Sequence, residues 1–302
     1  MFEIALSVAA CRRAGTRVDV AWVIGTEPPL AVGPEDAVAI TPGGGRLGSV
    51  LSGALDDQLG ELAALQASTG RVVELEIGAS EAVLAGLEPG TRATVLLAPA
   101  SSLPDDTWDL LLRREPVCLV SHLDGDVVTR TDLHTAATIT DAGDDAARAF
   151  DRGSSQVLTA QEAVTTILRP TPSLVIVGGR ADMVEALERQ ASLMGWRPRA
   201  TQSAAEVEGL VAGLTGLDGV VVMGHDLETT GRALLAALSS DVGYLGSVGP
   251  GDVRRARADW LAYRGVSDLT RVHSPAGLDI GARTPAEIAM AITAEMVAAR
   301  HS

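Results

Sequence analysis

The stretches Leu174-Val-Ile-Val-Gly-Gly-Arg180 and Gly219-Val-Val-Val-Met-Gly-His-Asp226 decide the fold of this chain. Each begins with a continuous apolar run and ends in glycine and polar residues. This pattern is typical of a buried parallel strand that runs into a surface loop. In the segments that follow, 183–194 and 230–238, apolar residues recur at helical spacing. This alternation of strand and helix predicts parallel βαβ units with right-handed crossovers, and hence a Rossmann-like domain.

The same alternation continues along the C-terminal half of the chain. The further predicted elements are strands at 196–201 and 242–245 and helices at 253–264 and 285–300. The last helix has the clearest start, because Thr284 can be its N-cap, Pro285 suits the first position and Glu287 completes a capping box. Ser203-Ala-Ala-Glu206 predicts a second capping box.

The N-terminal half also mixes helices and strands. The predicted helices lie at 2–13 and 49–65, and the predicted strands at 18–25, 37–41, 72–77 and 93–98. The strand at 93–98 is too continuously apolar to be an exposed edge. Residues 141–155 are predicted to be a surface connection, and Thr159-Ala-Gln-Glu162 is predicted to begin a short helix.

The segment Arg169-Pro-Thr-Pro172 ends that helix and marks the predicted domain boundary. A chain of 302 residues is long for one domain. We therefore predict an α/β protein with an N-terminal α/β domain and its connecting segment at 1–170. A C-terminal Rossmann-like domain with a parallel sheet follows at 171–302.

Composition excludes several classes of function. The net charge is −15 and no basic stripe is visible, so the phosphate backbone of a nucleic acid would be repelled. All 24 basic residues are Arg, which excludes a Schiff-base lysine and the lysine of a P-loop. Cys11 and Cys118 are isolated and suggest neither a disulfide nor a metal site. Without a signal peptide or a long apolar run, a cytoplasmic protein that does not bind membranes is expected.

In a parallel sheet, ligands bind beyond the carboxyl ends of the strands. Three loops are therefore candidates: Gly178-Gly-Arg180, Gly224-His-Asp226 and Gly246-Ser247. Gly178 and Gly179 precede a helix whose N-terminus could receive a phosphate. The third glycine of a dinucleotide fingerprint is missing, and no acidic residue follows the next strand, so an ordinary strand–helix turn remains an alternative.

Two further groups of residues are candidates for ligand contacts. His225 could act as an acid, a base or a ligand with Asp226 orienting it, unless Asp226 simply caps the next helix. The long loop His273-Ser-Pro-Ala-Gly-Leu-Asp-Ile-Gly-Ala-Arg-Thr-Pro285 is rich in glycine and proline and precedes the best-capped helix. His273 and Asp279 could line the site, or Asp279 could pair with Arg283.

Taken together, three motifs resemble the xanthine dehydrogenase accessory (XdhC/CoxI) family. They are Gly219-Val-Val-Val-Met-Gly-His-Asp226, Tyr244-Leu-Gly-Ser247 and the run from His273 to Ala289, followed by Ala294-Glu-Met296. The resemblance implies a protein that binds the molybdenum cofactor, helps it to acquire its terminal sulfur and transfers it to an apo-enzyme. The served enzymes are molybdenum hydroxylases such as xanthine and carbon monoxide dehydrogenases. The cofactor-binding residues implied are Gly178, Gly179, His225, Asp226, Gly246, Ser247, His273, Gly277, Asp279 and Gly281.

The chain departs from the family pattern at several reactive positions. Ala54 stands where the family has a cysteine, and Asp56 where it has a glutamate. Ala181 replaces a histidine after the first Rossmann strand, and Val248 replaces an arginine after Gly246-Ser247. Alanine at position 54 can be neither a soft metal ligand nor a sulfur acceptor.

The sequence therefore favours a non-catalytic, dimeric maturation factor with no metal site of its own. Its partners would be a molybdenum hydroxylase apo-enzyme and a cofactor sulfurase. Two alternatives stay open: an oxidoreductase that binds NAD(P), and a degenerate paralogue that retains only a role in docking to the partner enzyme.

Overall fold

The computed structural model describes residues 1–300, so the last two residues of the predicted second domain lie outside the described part. The chain forms two compact units, Met1–Pro170 and a second that begins at Thr171. The division falls inside the proline-rich segment Arg169-Pro-Thr-Pro172. In residues 1–300, no helix is both apolar enough and long enough to cross a lipid bilayer.

A large antiparallel sheet forms the first unit. Its strands are β1 (Asp19–Glu27), β2 (Ala37–Ile40), β3 (Arg46–Gly48), β4 (Arg71–Glu76), β5 (Arg92–Pro99), β6 (Val117–Asp124), β7 (Val127–His134), β8 (Gln156–Ala160) and β9 (Ala163–Leu168). Within residues 1–170, these nine strands lie in the order β3-β2-β1-β5-β4-β7-β6-β9-β8. Every neighbouring pair is antiparallel.

Helices cover both faces of this sheet. They are α1 (Ala5–Arg13), α2 (Asp56–Ala64), α3 (Ala79–Leu84), α4 (Thr107–Leu112) and α5 (Asp144–Asp151). Along β1, Val20 and Trp22 pack with α1 and α4, whereas Ala21 and Val23 pack with α2 and α3. Because both faces are buried, the central strands are continuously apolar although they are antiparallel. The prediction that 93–98 is a buried strand is confirmed, since Val95 and Leu96 are fully buried in β5.

Three predictions for the first unit are wrong. Thr159-Ala-Gln-Glu162 does not begin a helix: its first two residues end β8 and its last two form the turn to β9, because the β-branched run that follows favours a strand. The predicted connection at 141–155 contains α5, whose Ala146, Ala149 and Phe150 are buried. The predicted helix at 49–65 begins only at Asp56, because Leu51, Ser52 and Gly53 have positive φ. No strand was predicted for the hairpin formed by β6 and β7.

The second unit is a parallel sheet with helices on both faces, as predicted. Its strands are β10 (Ser173–Gly178), β11 (Arg197–Thr201), β12 (Gly219–Met223), β13 (Tyr244–Ser247) and β14 (Val272–His273). Its helices are α6 (Ala181–Leu193), α7 (Ala204–Val211), α8 (Leu227–Leu238), α9 (Gly251–Tyr263) and α10 (Pro285–Ala299). Along β10, Val175 and Val177 pack with α7, α8 and α9, whereas Leu174 and Ile176 pack with α6 and α10.

The strand order of this sheet determines where a ligand can bind. Over residues 171–300 the order is β11-β10-β12-β13-β14, and each neighbouring pair is parallel. The chain moves from β10 to β11 on one side and then to β12 on the other. The switch point of the sheet therefore lies between β10 and β12, where the loops at their carboxyl ends diverge and leave a crevice.

The two predicted capping boxes of this unit have different outcomes. At α10, Thr284 accepts the N–H of Glu287 while Glu287 accepts the N–H of Thr284, so that prediction is confirmed. At α7, Ser203 makes no capping hydrogen bond through its side chain. Glu206 instead accepts the hydroxyl of Thr201 at 2.6 Å, which removes it from the predicted box.

Candidate functional site

A cavity of about 610 Å³ lies at the switch point of the parallel sheet. Its wall includes Gly178 and Gly179 from the loop after β10, and Gly224 and His225 from the loop after β12. Most of the lining is apolar, with contributions from Met183, Met223, Val248, Pro250 and Ile288. A crevice of this size, apolar with a few polar groups, suits a small organic ligand.

Glycines allow the two loops to meet at the floor of the cavity. Gly178 has φ +72°, and a Cβ atom there would lie 2.3 Å from the carbonyl oxygen of Met223. Gly224 has φ +88°, and its Cβ would lie 3.0 Å from the backbone nitrogen of Gly179. Side chains are therefore excluded at these positions by both backbone conformation and space. The result is a floor of exposed backbone at the switch point.

The N-terminus of α6 begins at this floor. Arg180 is its N-cap residue, but the Arg180 side chain makes no capping hydrogen bond. The N–H groups of Ala181 and Asp182, in the first turn, have no acceptor within the helix. Asp182 accepts the N–H of Met183 at 3.0 Å and the Nε–H of Arg180 at 3.1 Å. A ligand phosphate could be received by the remaining N–H groups.

Asp226 lines the cavity and also caps α8. Its carboxylate accepts the N–H groups of Glu228 and Thr229 at 3.0 and 3.3 Å and the hydroxyl of Thr229 at 2.7 Å. The Thr229 hydroxyl, together with these N–H groups, holds the pKa of Asp226 below its usual value. The carboxylate therefore already has hydrogen-bond donors from the protein. His225, which precedes it, is exposed at the cavity rim.

Arg257 lies behind the cavity wall and was not predicted as a site residue. Its side chain is buried, with a relative exposure of 1%. It donates to the hydroxyl of Ser247 and the carbonyl of Val248, both at 2.8 Å, and to the carbonyl of Gly224 at 2.7 Å. It thus joins the loop after β12 to the loop after β13. The signal in the sequence was an arginine at the middle of a buried helical stripe, between Val253 and Leu261.

The candidate residues Gly246 and Ser247 do not line the cavity. Both are buried in β13, where a Cβ on Gly246 would lie 3.0 Å from the side chains of Ala276 and Tyr244. The Ser247 hydroxyl accepts from Arg257. These two residues therefore pack the sheet and support the wall from behind.

His273 and Gly277 belong to a separate cluster around Glu295 on α10. One carboxylate oxygen of Glu295 lies 3.2 Å from Nδ1 of His273. The other accepts the hydroxyl of Tyr244 at 2.6 Å and the N–H of Gly277 at 2.7 Å. The rings of Tyr244 and His273 are 4.8 Å apart between centroids. We call these four residues the Glu295 cluster.

Electrostatics in the Glu295 cluster favour the ionised carboxylate. Burial works to raise the pKa of Glu295, but the hydrogen bonds from Tyr244 and Gly277 and the nearby His273 outweigh it, so the pKa is lowered. Burial, together with the same carboxylate, raises the pKa of Tyr244, which therefore remains a hydrogen-bond donor. The cluster attaches the loop after β14 to α10.

The other two candidates of that loop, Asp279 and Gly281, are exposed and do not line the cavity. Arg283, Pro285 and Ile288, farther along, do line it. The structure thus brings Gly178, Gly179, His225 and Asp226 together at one cavity. It places Gly246, Ser247, His273, Gly277, Asp279 and Gly281 elsewhere in the second unit.

Position 54 of the first unit is also informative. Ala54 is 8% exposed and packs in the apolar core with Leu51 and Leu55. It follows the residues with positive φ at 51–53. An apolar methyl group thus occupies the position at which the resemblance implies a cysteine.

Comparison with known proteins identifies the second unit. No curated protein matches the chain in sequence. Among solved structures, the chain is similar to that of a xanthine dehydrogenase from Bacillus halodurans, with 19% identity and a TM-score of 0.46 over 99% of this chain and 95% of the other. Residues 174–296 match the family model of the XdhC Rossmann domain. This match covers most of the second unit and agrees with the parallel sheet found there.

Proposed function

We propose that this protein is an accessory factor for an enzyme of the xanthine dehydrogenase type. In this proposal it binds the molybdenum cofactor at the switch-point cavity and delivers it to the apo-enzyme. The observation that carries the proposal is the position of the cavity, which lies within the XdhC Rossmann domain and has a backbone floor next to the N-terminus of α6. The cofactor is cargo in this role, and no turnover by the protein is required.

The residues of the cavity are compatible with the organic half of this cargo. An anionic pterin phosphate would accept the N–H groups at the start of α6, with Arg283 nearby. The flat pterin ring would lie against the apolar side chains of Met183, Met223 and Ile288. His225 at the rim could donate to or accept from the polar edge of the ring.

The cavity lining contains no cysteine in the described residues. Cys11 and Cys118 belong to the first unit, and burial raises the pKa of Cys118 to about 11, so that residue stays a thiol at neutral pH. Ala54 lacks the thiol that the family pattern has. We therefore propose that this chain binds and delivers the cofactor, and that a separate sulfurase supplies the terminal sulfur.

Cofactor retention tests the proposal directly. Purified protein is incubated anaerobically with molybdenum cofactor and passed through a sizing column, and the protein peak is assayed for pterin fluorescence after oxidation. We expect close to one pterin per chain for the wild type. His225→Ala should lose most of the bound pterin without a change in melting temperature, because the His225 side chain is exposed.

A matched control is His134→Ala, which removes a histidine from the first unit and should leave retention unchanged. A folded wild-type protein that elutes without pterin would contradict the proposal and would favour the docking-only alternative. If NADH or NADPH raised the melting temperature while the cofactor did not, a nicotinamide-binding enzyme would replace it.

A further inference from the structure

Arg257 is a buried cation without a buried counter-charge. Its three acceptors, the Ser247 hydroxyl and the carbonyls of Val248 and Gly224, are all uncharged. Among the described residues no carboxylate lies within ion-pair distance of Arg257, and its Nε–H has no acceptor. Burying an unpaired charge is costly, so proteins rarely retain one without a compensating interaction.

The charge of Arg257 persists at neutral pH. Burial lowers its pKa to about 10, which leaves the guanidinium protonated in the physiological range. By contrast, several exposed arginines of this unit have carboxylate partners. Arg232, for example, pairs with Glu228 at 2.6 Å, and Arg189 pairs with Glu185, also at 2.6 Å.

The uncompensated charge lies directly behind the cavity. Gly224, Val248 and Gly249 form part of the wall, and the first two supply carbonyl acceptors to Arg257. Nη1 of Arg257 lies 3.8 Å from the point that a Cβ on Gly249 would occupy. The guanidinium therefore lies directly against the backbone that forms this part of the wall.

The charged groups that line the cavity do not cancel this charge. Arg180 is paired with Asp182, and the charges of Asp226 and Arg283 are opposite. The charge of Arg257 behind the wall therefore leaves this group of residues with a net positive charge. The low-dielectric wall of the cavity strengthens the attraction for an anion.

We propose that Arg257 makes the cavity prefer a ligand that carries a phosphate group over the same ligand without the phosphate. Arg257 acts as a positioning residue: its charge acts across the glycine wall, and its hydrogen bonds hold the two loops that shape the wall. This inference deepens the proposed function and rests on it for the location of the site. It adds that the ligand carries a negative charge, and it identifies Arg257 as the residue that favours this charge.

A comparison of two forms of one ligand tests this inference. The probes are the oxidised pterin phosphate prepared from the cofactor and the same pterin after phosphatase treatment, and binding is followed by fluorescence anisotropy. For the wild type we expect the phosphorylated form to bind at least ~10-fold more tightly, as a charge-assisted contact of ~1.5 kcal/mol would give. Arg257→Met should lower that ratio, while the N–H groups of α6 and Arg283 keep part of the phosphate preference.

Two variants separate charge from structure. Arg257→Lys retains the positive charge but loses the fork of hydrogen bonds, so it should keep most of the phosphate preference. Arg255→Gln removes an exposed arginine from the same helix and should keep the wild-type ratio. If Arg257→Met fails to fold, Arg257→Gln replaces it, because glutamine is uncharged but keeps two hydrogen-bond donors, and it should show the same lowered ratio. An equal affinity of the wild type for both pterins would overturn the inference.

A second probe distinguishes this inference from the proposed function. Inorganic pyrophosphate should raise the melting temperature of the wild type and of Arg255→Gln equally, and that of Arg257→Met by less. If pyrophosphate has this effect while neither pterin binds, the phosphate preference stands and the proposed cargo is wrong. If pyrophosphate stabilises the wild type and Arg257→Met equally, Arg257 has no part in anion binding and the inference fails.

Discussion

The loops after β10 and β12 border the cavity, whereas most of the loop between β14 and α10 does not. Both regions combine glycines with histidine and aspartate and follow strands of the same sheet. In the first region, the glycines bring two backbones together and leave His225 exposed at the rim. In the second region, His273 and Gly277 are bound to Glu295 of α10.

The difference shows that a polar residue at a strand end is available to a ligand only when no other residue of the protein already binds it. Glu295 holds the first part of the second loop, whereas Arg283 and Pro285 near its end line the cavity. The second loop therefore contributes to the site through its last residues and not through His273.

The largest expected effect is a difference in stability between a glycine variant of the first region and a glycine variant of the second. Gly178→Ala should lower the free energy of unfolding by about 3–5 kcal/mol. The fold holds this position at a positive φ, which is unfavourable for alanine, and the added Cβ clashes with the Met223 carbonyl oxygen. Gly281→Ala has a similar φ of +73° but meets nothing within 4 Å, so we expect a loss of about 1–2 kcal/mol. Urea unfolding of both variants measures the difference. Equal losses would show that the close approach at the switch point costs nothing.

The next effect concerns the Glu295 cluster. Glu295→Ala should cost about 2–3 kcal/mol of stability, because the Tyr244 hydroxyl and the Gly277 N–H lose a charged acceptor. Pterin retention by the folded variant should change little, since Glu295 does not line the cavity. Glu208→Gln, which alters an exposed carboxylate on α7, is the control. Complete loss of pterin from a folded Glu295→Ala protein would show that the two regions are not separate.

The same cluster predicts a pH dependence. The pKa of folded Glu295 lies below the value of about 4.3 that glutamate has in an unfolded chain. Its ionised form therefore stabilises the fold above that value, and the contribution disappears as the pH falls through the lower, folded pKa. Because His273 can change charge between pH 8 and pH 6, the test uses the range below pH 5. There the stability difference between the wild type and Glu295→Gln should shrink as the pH falls towards 3. A difference that grows over this range would reverse the assigned sign.

A smaller effect distinguishes the two predicted capping boxes. Thr284→Ala should cost about 1 kcal/mol, because the start of α10 loses a hydrogen bond to the N–H of Glu287. Ser203→Ala should change stability much less, since Ser203 makes no capping bond through its side chain. The melting temperatures of the two variants, compared with that of the wild type, test this prediction. A larger loss at Ser203 would contradict the geometry at the start of α7.

The smallest expected effect addresses Asp226. Asp226→Asn should leave stability nearly unchanged, because asparagine caps helices as well as aspartate does. Asp226→Ala should lower the melting temperature, since the N–H groups of Glu228 and Thr229 lose their acceptor. If pterin retention also survives in Asp226→Asn, the residue serves α8 alone. A stable Asp226→Asn protein without pterin would show that the carboxylate charge contacts the ligand.

Local sequence determined much of the second unit. Continuous apolar runs at 174–177 and 219–223 predicted buried strands, and the helical spacing between them predicted the crossovers. Thr284 and Glu287 marked the start of α10 correctly. These features depend on residues a few positions apart, and so periodicity and capping chemistry are enough to predict them. The same rules failed at 159–162, where the β8–β9 hairpin, favoured by the β-branched residues that follow, outweighed the helix signal.

Tertiary structure alone decided which of the candidate residues share a site. Gly178 and Gly224 are far apart in the sequence and meet because β10 and β12 are neighbours at the switch point. His273 and Glu295, also distant in sequence, are joined because β14 lies beside β13 and α10 packs on the sheet. Arg257 is read from the sequence as an arginine in an apolar stripe, and only its burial beside uncharged acceptors shows that its charge is uncompensated. Strand order and burial are long-range properties of the packed chain, so the sequence determined the residue types and the fold class, and packing determined their roles.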